Sequence, residues 1–221
     1  MFASTPFNRC HLFGLALIMG AIPVVMGAAS AVEAPPPGAT GAIEAANLEV
    51  ATFAAGCFWC VEKDFDKVPG VVETISGYTG GKTANPTYYE VGSGDTGHTE
   101  ALEVRYDPAK VSYSQLLDHY WRHVDFTDGA GQFCDRGTQY RPAIFTHSDA
   151  QAKLAEASKA DIAKRFGVAV KVEIVPAKTF TAAEDYHQDY YKKNPVKYRF
   201  YRAGCGRDSR IQLLWNTQAA H

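Results

Sequence analysis

Hydrophobic and polar residues alternate along several short stretches of the chain, and this period-two pattern predicts β-strands. The clearest case is Leu102, Val104 and Tyr106, which alternate with charged residues. Four further apolar runs are bounded by glycine, proline or polar turns, as strands commonly are. The predicted strands cover 52–55, 71–78, 102–106, 140–146 and 168–175.

A second pattern, with apolar residues three or four positions apart, predicts four α-helices. Ser112 and Ser148 stand where N-caps are expected, and Gly167 stands where the third helix should end. The predicted helices cover about 58–68, 113–124, 149–166 and 181–193. After residue 193 the pattern predicts no regular structure.

The predicted elements follow one another as β-α-β, β-α-β and α-β-α, an order that indicates the α+β class. We predict a two-layer mixed sheet with helices, built on a ferredoxin-like split βαβ core. One domain, residues 48–205, accounts for the predicted elements, and residues 206–221 form a predicted C-terminal tail.

The N-terminal region has the composition of an export signal. An almost continuous apolar run from Leu12 to Met26 is followed by Ala29-Ser30-Ala31, which matches a small-x-small cleavage pattern. Because the run is short for a membrane span and Pro23 interrupts it, we interpret 1–31 as a signal peptide and 32–47 as a linker. The protein is then exported, with the periplasm as the expected compartment; an uncleaved leader would tether it to the membrane.

Composition and charge narrow the classes of function. The chain has 221 residues, of which 46% are hydrophobic and 21% charged, as in ordinary globular proteins. The net charge of −2 offers no basic surface for nucleic acid or for an anionic membrane. We therefore expect a globular domain that binds no nucleic acid and has no stable membrane insertion once the leader is removed.

Removal of the leader takes away Cys10 and leaves Cys57, Cys60, Cys134 and Cys205. An even number of cysteines in an oxidising compartment is typical of structural disulfides. A domain of this size does not need them for stability, however, and a redox role remains open.

Cys57 stands at the entrance of the first predicted helix, directly after Gly56 and before Phe58 and Trp59. The unpaired N–H groups at a helix N-terminus favour a thiolate, which is the nucleophilic form of cysteine. Two aromatic rings beside it would form an apolar pocket. The stretch therefore indicates a catalytic cysteine that acts on a hydrophobic or sulfur-containing group.

The Cys57-x-x-Cys60 spacing has two other interpretations. One is half of a zinc site, but the chain has no second C-x-x-C. The other is a thioredoxin-like dithiol, although aromatic residues fill both intervening positions and favour a substrate pocket. We favour a reactive cysteine over zinc, and a metal-binding or recognition module remains an alternative.

Residues 92–97 match the G-x-G-x-x-G pattern of dinucleotide sites, but a strand follows them where a helix is required. We expect these glycines to let the backbone approach a pocket closely. Glu100 follows at a strand start. It is either exposed to solvent or, if it faces the aromatic pocket, protonated by desolvation and able to act as a general acid.

Four other residues have a functional and an ordinary interpretation. Tyr88 and Tyr140 either contribute to the pocket or pack with their hydroxyls at the surface. Asp135 either belongs to the site or caps a turn. Cys205 is either an incidental cysteine of the tail or a resolving thiol, since the glycines on both sides make its segment mobile enough to reach another cysteine.

Several motifs together resemble the peptide-methionine sulfoxide reductase family, A type. The resemblance covers about residues 48–205. The motifs are Gly56-Cys57-Phe58-Trp59, Gly77-Tyr78-Thr79-Gly80-Gly81, Asn85-Pro86-Thr87-Tyr88, Gly94-Asp95-Thr96-Gly97-His98-Thr99-Glu100, Asp135-Arg136-Gly137-Thr138-Gln139-Tyr140-Arg141 and Glu184-Asp185-Tyr186-His187-Gln188.

The resemblance implies a reductase of methionine-S-sulfoxide, free or in proteins, one of two such enzymes that each act on one epimer. It implies that Cys57 attacks the sulfoxide sulfur while protonated Glu100 donates to the oxygen, assisted by Tyr88 and Tyr140. It also implies that a sulfenic acid forms on Cys57.

The resemblance further implies that Phe58 and Trp59 hold the S-methyl group and that Asp135 orients the substrate. Cys205 would capture the sulfenic acid as a disulfide, which a thioredoxin-like partner reduces. No cofactor and no metal are implied, and a monomer is expected.

Two departures from the family pattern keep alternatives open. Many members carry glycine where this chain has Cys60, and Cys134 lies directly beside Asp135. Either cysteine could replace Cys205 as the resolving thiol. A general thiol–disulfide oxidoreductase that uses Cys57 and Cys60 is the alternative function.

Overall fold

A computed structural model describes residues 47–216 of the chain. The signal peptide expected at 1–31, and all but the last residue of the expected linker, lie outside the described residues. Among the described helices, none is long and apolar enough to cross a membrane.

Eight strands occur in the described part of the chain. They are β1 (Glu49–Ala54), β2 (Val71–Thr79), β3 (Thr99–Tyr106), β4 (Gly131–Gln132), β5 (Asp135–Arg136), β6 (Ala143–Thr146), β7 (Glu173–Pro176) and β8 (Thr181–Ala182). Six of them form one sheet in the order β7-β6-β1-β3-β2-β8, and β4 pairs with β5 in a separate two-stranded sheet.

Seven α-helices accompany these strands within residues 47–216. They are α1 (Phe58–Phe65), α2 (Tyr88–Ser93), α3 (Tyr113–Trp121), α4 (Asp149–Phe166), α5 (Tyr190–Lys193), α6 (Pro195–Gly204) and α7 (Arg207–Asn216). A 3₁₀ turn, Thr138–Tyr140, precedes β6.

The sheet has the predicted split βαβ core. Strand β3 lies between β1 and β2 and is antiparallel to both, so β1 and β2 are parallel and α1 connects them. The run β1-α1-β2-β3-α3-β6 is ferredoxin-like, with β6 antiparallel to β1. Helix α4 then leads to β7, which is parallel to β6, and the sheet is therefore mixed. The predicted α+β class is confirmed.

The main core forms where α1, α3 and α4 pack against the sheet. Phe53 of β1 lies at its centre, with ring centroids 5.0 Å from Phe65 of α1 and 5.2 Å from Tyr120 of α3. The predicted caps of α3 and α4 are present: the Ser112 hydroxyl accepts from the Gln115 N–H, and Ser148 does the same for Gln151. These contacts fix α1, whose first turn carries the candidate nucleophile.

Two local predictions are wrong. The helix expected over 181–193 is strand β8 followed by an irregular segment and the short helix α5, because Thr181 and Ala182 pair with the edge of β2. Helix α2 was not expected. A capping box formed by Thr87 and Glu90 starts this helix, and the T-x-x-E spacing is a sequence signal for it.

The end of the chain is also more regular than predicted, since α6 and α7 occupy residues 195–216. Pro195 starts α6 at a position where its missing N–H costs nothing. Helix α7 packs through Trp215, which meets Phe166 edge-on at 5.1 Å, and through the fully buried Arg207. The sequence shows little apolar periodicity in this segment, because one of its main buried residues, Arg207, is charged.

Ending the chain after Gly206 should therefore destabilise the domain. The cut removes Arg207, whose guanidinium donates to the carbonyls of Ala55 and His123 and lies near the buried Asp64. We expect a loss of about 3–5 kcal/mol in the free energy of unfolding, the range for a broken buried ion pair. Denaturant unfolding measures it.

Ending the chain after Asn216 is the matched control, since it keeps all of α7. A loss of less than about 1 kcal/mol on cutting after Gly206 would contradict the assigned role of α7.

Candidate active site

A cavity of about 90 Å³ opens beside the first turn of α1. Seven of its lining residues are candidates from the sequence, and Tyr201 is an addition. The lining residues are Cys57, Phe58, Trp59, Tyr88, Glu100, Asp135, Tyr140 and Tyr201. Residues from both ends of the domain therefore meet at one small cavity.

Cys57 is the N-cap of α1, and its carbonyl accepts from the N–H of Cys60 at 3.0 Å. Gly56 makes the turn into the helix with φ +80°, and a Cβ there would lie 2.5 Å from the Cβ of Gln132. Glycine is thus required both for the left-handed backbone and for the close approach. The Cys57 thiol is only 6% exposed.

Burial changes the ionisation expected for Cys57. Desolvation, and then the hydrogen bond to Cys60, raise the pKa of the Cys57 thiol well above its ordinary value. The same hydrogen bond, followed by the charges of Arg207 and Arg202, lowers the pKa of Cys60 to about 7. Desolvation therefore opposes the thiolate that the helix N-terminus is expected to favour at Cys57.

Glu100 lies in β3 opposite Tyr78 and is 3% exposed. Its Oε2 accepts from the N–H of Phe58 at 2.9 Å. Burial raises the pKa of Glu100 to about 8 despite this hydrogen bond. The carboxyl group is therefore protonated at pH 7, and the solvent-exposed alternative is excluded.

Tyr88 and Tyr140 line the same cavity. Tyr88 begins α2, and Tyr140 ends the 3₁₀ turn. Burial raises the pKa of Tyr88 to about 12 and raises that of Tyr140 as well, with Glu100 adding to both shifts. Both tyrosines therefore keep their protons and can donate hydrogen bonds.

The aromatic wall is held by the block at residues 184–188. Trp59 stacks on Tyr190 with centroids 3.7 Å apart, and its indole N–H donates to Nδ1 of His187 at 3.0 Å. Glu184 accepts from the N–H of Tyr88 at 2.9 Å. Gln188 exchanges hydrogen bonds with the backbone of Ser76, which ties the block to β2. Residues 184–188, which resemble a motif of the family, therefore support the wall of the cavity.

Asp135 and Tyr201 close the other side of the cavity. The Tyr201 hydroxyl donates to Oδ2 of Asp135 at 2.5 Å, and Tyr201 lines the same cavity as Cys57. Asp135 lies in β5, within the short hairpin of the 125–139 loop. Sequence reasoning missed Tyr201 because it lies in α6, where no helix was predicted. Its position four residues before Cys205 is the one available signal.

Cys205 lies at the C-terminal end of α6 and is disulfide-bonded to Cys134, 71 residues away. The other two described cysteines, Cys57 and Cys60, are free and buried. Cys134, Asp135 and Cys205 are the one group of candidate metal ligands within residues 47–216, and the disulfide engages both sulfurs.

The glycines at 94 and 97 do not line the Cys57 cavity. Together with Gly80 and Gly81 they line a separate cavity of about 470 Å³. Gly94 has φ +88° and caps α2, and Gly97 has φ +72°. They make the close turns that were expected, but at a neighbouring site.

Comparison with known proteins agrees with this geometry. The family model described as peptide methionine sulfoxide reductase matches residues 49–219. Peptide methionine sulfoxide reductase MsrA 2 of Caulobacter vibrioides is 53% identical over 180 residues, which make up 80% of this chain and 91% of that protein.

Two solved structures are similar in fold. Mxr1 of Saccharomyces cerevisiae in reduced form has a TM-score of 0.66 and 35% identity, over 69% of this chain and 89% of that one. Methionine sulfoxide reductase A of Corynebacterium diphtheriae has a TM-score of 0.62 and 39% identity, over 68% of this chain and 76% of that one.

Proposed function

The chain belongs to the peptide methionine sulfoxide reductase family, A type, and on this premise we propose that it reduces methionine-S-sulfoxide, free or within oxidised proteins, to methionine. The observation that carries the proposal is the juxtaposition of a nucleophilic cysteine and a neutral carboxylic acid. Cys57 and Glu100 line the same 90 Å³ cavity, and burial keeps Glu100 protonated at pH 7. A sulfoxide needs both groups, one at sulfur and one at oxygen.

In the first step Cys57 attacks the sulfoxide sulfur, and its thiol proton replaces the one that Glu100 gives up. Glu100 gives its proton to the sulfoxide oxygen, and the hydroxyls of Tyr88 and Tyr140 donate hydrogen bonds to the same oxygen. The bond between the two sulfurs then breaks as the oxygen passes from the substrate to Cys57, which leaves Cys57 as a sulfenic acid and methionine as the reduced thioether. Cys57 is thus oxidised by two electrons, and the sulfoxide is reduced by two.

The aromatic wall explains why a methyl sulfoxide is favoured as the substrate. Phe58 and Trp59 contact the S-methyl group, where sulfur–aromatic contacts contribute about 0.3–1.5 kcal/mol each. Asp135, with its carboxylate bound to the Tyr201 hydroxyl, orients the rest of the substrate. The hydrogen bond from Trp59 to His187 keeps the indole in place for this contact.

Two further cysteines restore the nucleophile. The thiol of Cys205 attacks the sulfenic acid to give a Cys57–Cys205 disulfide and water. The thiol of Cys134 then attacks Cys205, which releases Cys57 as a thiol and forms the Cys134–Cys205 disulfide. This order agrees with a structure in which Cys134 and Cys205 are bonded and Cys57 is free.

A thioredoxin-like reductant then reduces the Cys134–Cys205 disulfide. Cys134 is exposed, so an external thiolate can reach it. A general thiol–disulfide oxidoreductase based on Cys57 and Cys60 is less well supported, because both sulfurs are buried and exchange requires access to them.

Two further proposals, on the location of the protein and on its oligomeric state, rest on the sequence. The leader-like residues 1–31 support export to the periplasm, where oxidised proteins are the substrates, or tethering to the membrane if the leader stays uncleaved. A monomer is the second proposal.

The direct test of the function uses separated sulfoxide epimers with a dithiol as reductant. We expect the protein to convert the S epimer at least about a hundredfold faster than the R epimer, because the methyl group and the oxygen have fixed places in the cavity. Cys57→Ser is the control and should be inactive. Equal rates for the two epimers, or activity in Cys57→Ser, would contradict the proposal.

Disulfide mapping tests the order of the cysteines. After one turnover without reductant, mass spectrometry should find Cys134–Cys205 in the native chain. In Cys134→Ser the relay stops one step earlier, and Cys57–Cys205 should accumulate. A Cys57–Cys60 bridge in either protein would show that Cys60 is the resolving thiol.

A further inference from the structure

A cavity of about 620 Å³ lies beside the first residues of β2, Val71–Ile75. Its other walls come from Asp66, which is the C-cap of α1, and from residues 182–192. It shares no residue with the cavity that Cys57 lines, and the proposed reaction does not use it. We call this cavity the β2 cleft.

The outer edge of β2 is only partly paired. Strand β8 pairs with Gly77 and Tyr78 alone, so the sheet ends at β2 over residues 71–76. At Ser76 the side-chain amide of Gln188 takes the place of a neighbouring strand. It donates to the Ser76 carbonyl and accepts from the Ser76 N–H, each at 2.9 Å. This edge therefore already binds an amide in the way that it would bind a strand.

The next outward position on β2, Thr74, has open main-chain groups. Hydrogen-bonding groups of an antiparallel strand alternate between its two edges, so those of Thr74 point to the same edge as those of Ser76. Within residues 47–216 no group pairs with the Thr74 N–H or carbonyl. Val72 beyond it is 41% exposed, and a bulge there ends the regular edge. An open edge of this kind can bind an extended peptide as a further strand.

The walls of the β2 cleft are acidic. Four carboxylates line it, and Lys192 is the one cation among its lining residues. The four are Asp66, Glu73, Asp185 and Asp189. Lys192 is shared between Asp66 at 2.8 Å and Asp189 at 2.7 Å, whereas no ion pair in the described part of the chain reaches the Asp185 carboxylate. The cleft therefore favours a peptide that carries lysine or arginine.

Charge also separates the possible occupants of the cleft. Residues 32–46 of the same chain contain Glu33 and Glu44 and no lysine or arginine. A second copy paired edge to edge would bring two sets of the same carboxylates together, which is unfavourable. A basic segment of a different protein has neither disadvantage.

We infer that the β2 cleft binds an extended, lysine- or arginine-rich segment of a protein substrate, which adds to the edge of β2 as a strand. The main chain of the segment pairs with Thr74, and its basic side chains lie against the carboxylates of the cleft. The inference rests on the proposed sulfoxide reduction for the identity of this partner as an oxidised protein. The binding itself involves no redox step.

The position of the cleft fits a substrate that reaches both sites. Gln188 lines the cleft, whereas the adjacent His187 accepts from the indole N–H of Trp59 in the wall of the catalytic cavity. Tyr78, just beyond the open part of β2, has its ring centroid 5.9 Å from that of Phe58 in the same wall. A protein anchored in the β2 cleft is therefore held beside the catalytic cavity.

Hydrogen exchange in the full-length protein tests the main-chain pairing. The probe is a peptide of about nine residues in which lysine alternates with threonine, and which spans about 30 Å when extended. At saturation it should slow exchange of the Thr74 amide at least about tenfold, while the Ile75 amide, which faces β3, changes little. Unchanged exchange at Thr74 would overturn the inference.

The same measurement on the free protein tests the other occupants. We expect the Thr74 amide to exchange faster than the Ile75 amide, because only the latter is paired with a strand. Equal protection of the two amides without peptide would show that another part of the chain or a second copy already occupies the cleft. That result would contradict the inference.

Fluorescence anisotropy with the labelled peptide tests the role of charge. The lysine peptide should bind at least about tenfold more tightly than one in which glutamate replaces lysine. Glu73→Gln combined with Asp185→Asn should weaken binding of the lysine peptide at least about threefold. Glu156→Gln combined with Asp161→Asn, at two exposed positions of α4 outside the cleft, is the control with the same change in net charge. Equal binding of the two peptides, or equal loss in the two double variants, would contradict a basic partner.

Variants at Thr74 separate the main chain from the side chain. Thr74→Pro removes the N–H that faces the cleft and should raise the Kd of the lysine peptide at least about tenfold. Thr74→Val removes the hydroxyl that donates to Asp66 but keeps the N–H, and it should bind within about threefold of the native protein. Equal binding by the two variants would contradict main-chain pairing. If Thr74→Pro does not fold, hydrogen exchange in the native protein still decides the assignment.

Kinetics connect the cleft with the proposed reaction. The substrates are free methionine sulfoxide and a peptide that carries methionine sulfoxide beyond the lysine stretch. The ratio of kcat/KM for the peptide to that for the free amino acid should fall at least about threefold in the Glu73→Gln, Asp185→Asn variant. An unchanged ratio would contradict the identity of the partner as a substrate. If the proposed function fails, neither compound is reduced, while the lysine peptide still protects the Thr74 amide.

Discussion

The hydrogen bond from the Phe58 N–H to Glu100 is the contact on which the site depends. It joins the first turn of α1 to the middle strand of the split βαβ unit, and so it brings the proposed nucleophile Cys57 and the proposed acid Glu100 to one cavity. The N–H at a helix start needs an acceptor, and the buried carboxyl needs a donor. Because a single hydrogen bond compensates little of the cost of burying a charge, Glu100 stays protonated. The packing of Phe53 against α1 and α3 keeps the two elements in register for this contact.

The C-terminal helices complete the site from the opposite side. Helix α6 supplies Tyr201 to the cavity and ends at Cys205, and α7 brings the buried Arg207 against the backbone beside Cys57. The same two helices therefore carry a cavity residue, a disulfide-bonded cysteine and two buried guanidinium groups. This arrangement brings the Cys134–Cys205 disulfide towards the cavity, because Asp135 next to Cys134 and Tyr201 one turn before Cys205 both line it. It also explains why a segment with so little apolar periodicity is folded.

Much of this structure is predictable from the sequence. Local patterns predict the alternation in β3, the serine caps of α3 and α4 and the split βαβ order. The sequence motifs identify seven of the residues that line the cavity. The ionisation of Cys57 and Cys60 does not follow, because it depends on burial and on arginines more than 140 residues away. The 181–193 segment also departs from its helical pattern because edge pairing with β2 outweighs propensity. Tyr201 and the Cys134–Cys205 pairing depend on how α6 docks, which no local pattern specifies.

The pH dependence of the first turnover tests most directly the proposed step in which a neutral Glu100 protonates the sulfoxide as Cys57 attacks it. The rate of methionine formation should fall as pH rises through about 8, because the active form of Glu100 is the protonated one. Glu100→Gln should be slower by a factor of about 100 or more and should lack this fall, since an amide has no acidic proton to lose. An unchanged rate in Glu100→Gln, or the same fall near pH 8 in that variant, would contradict the account.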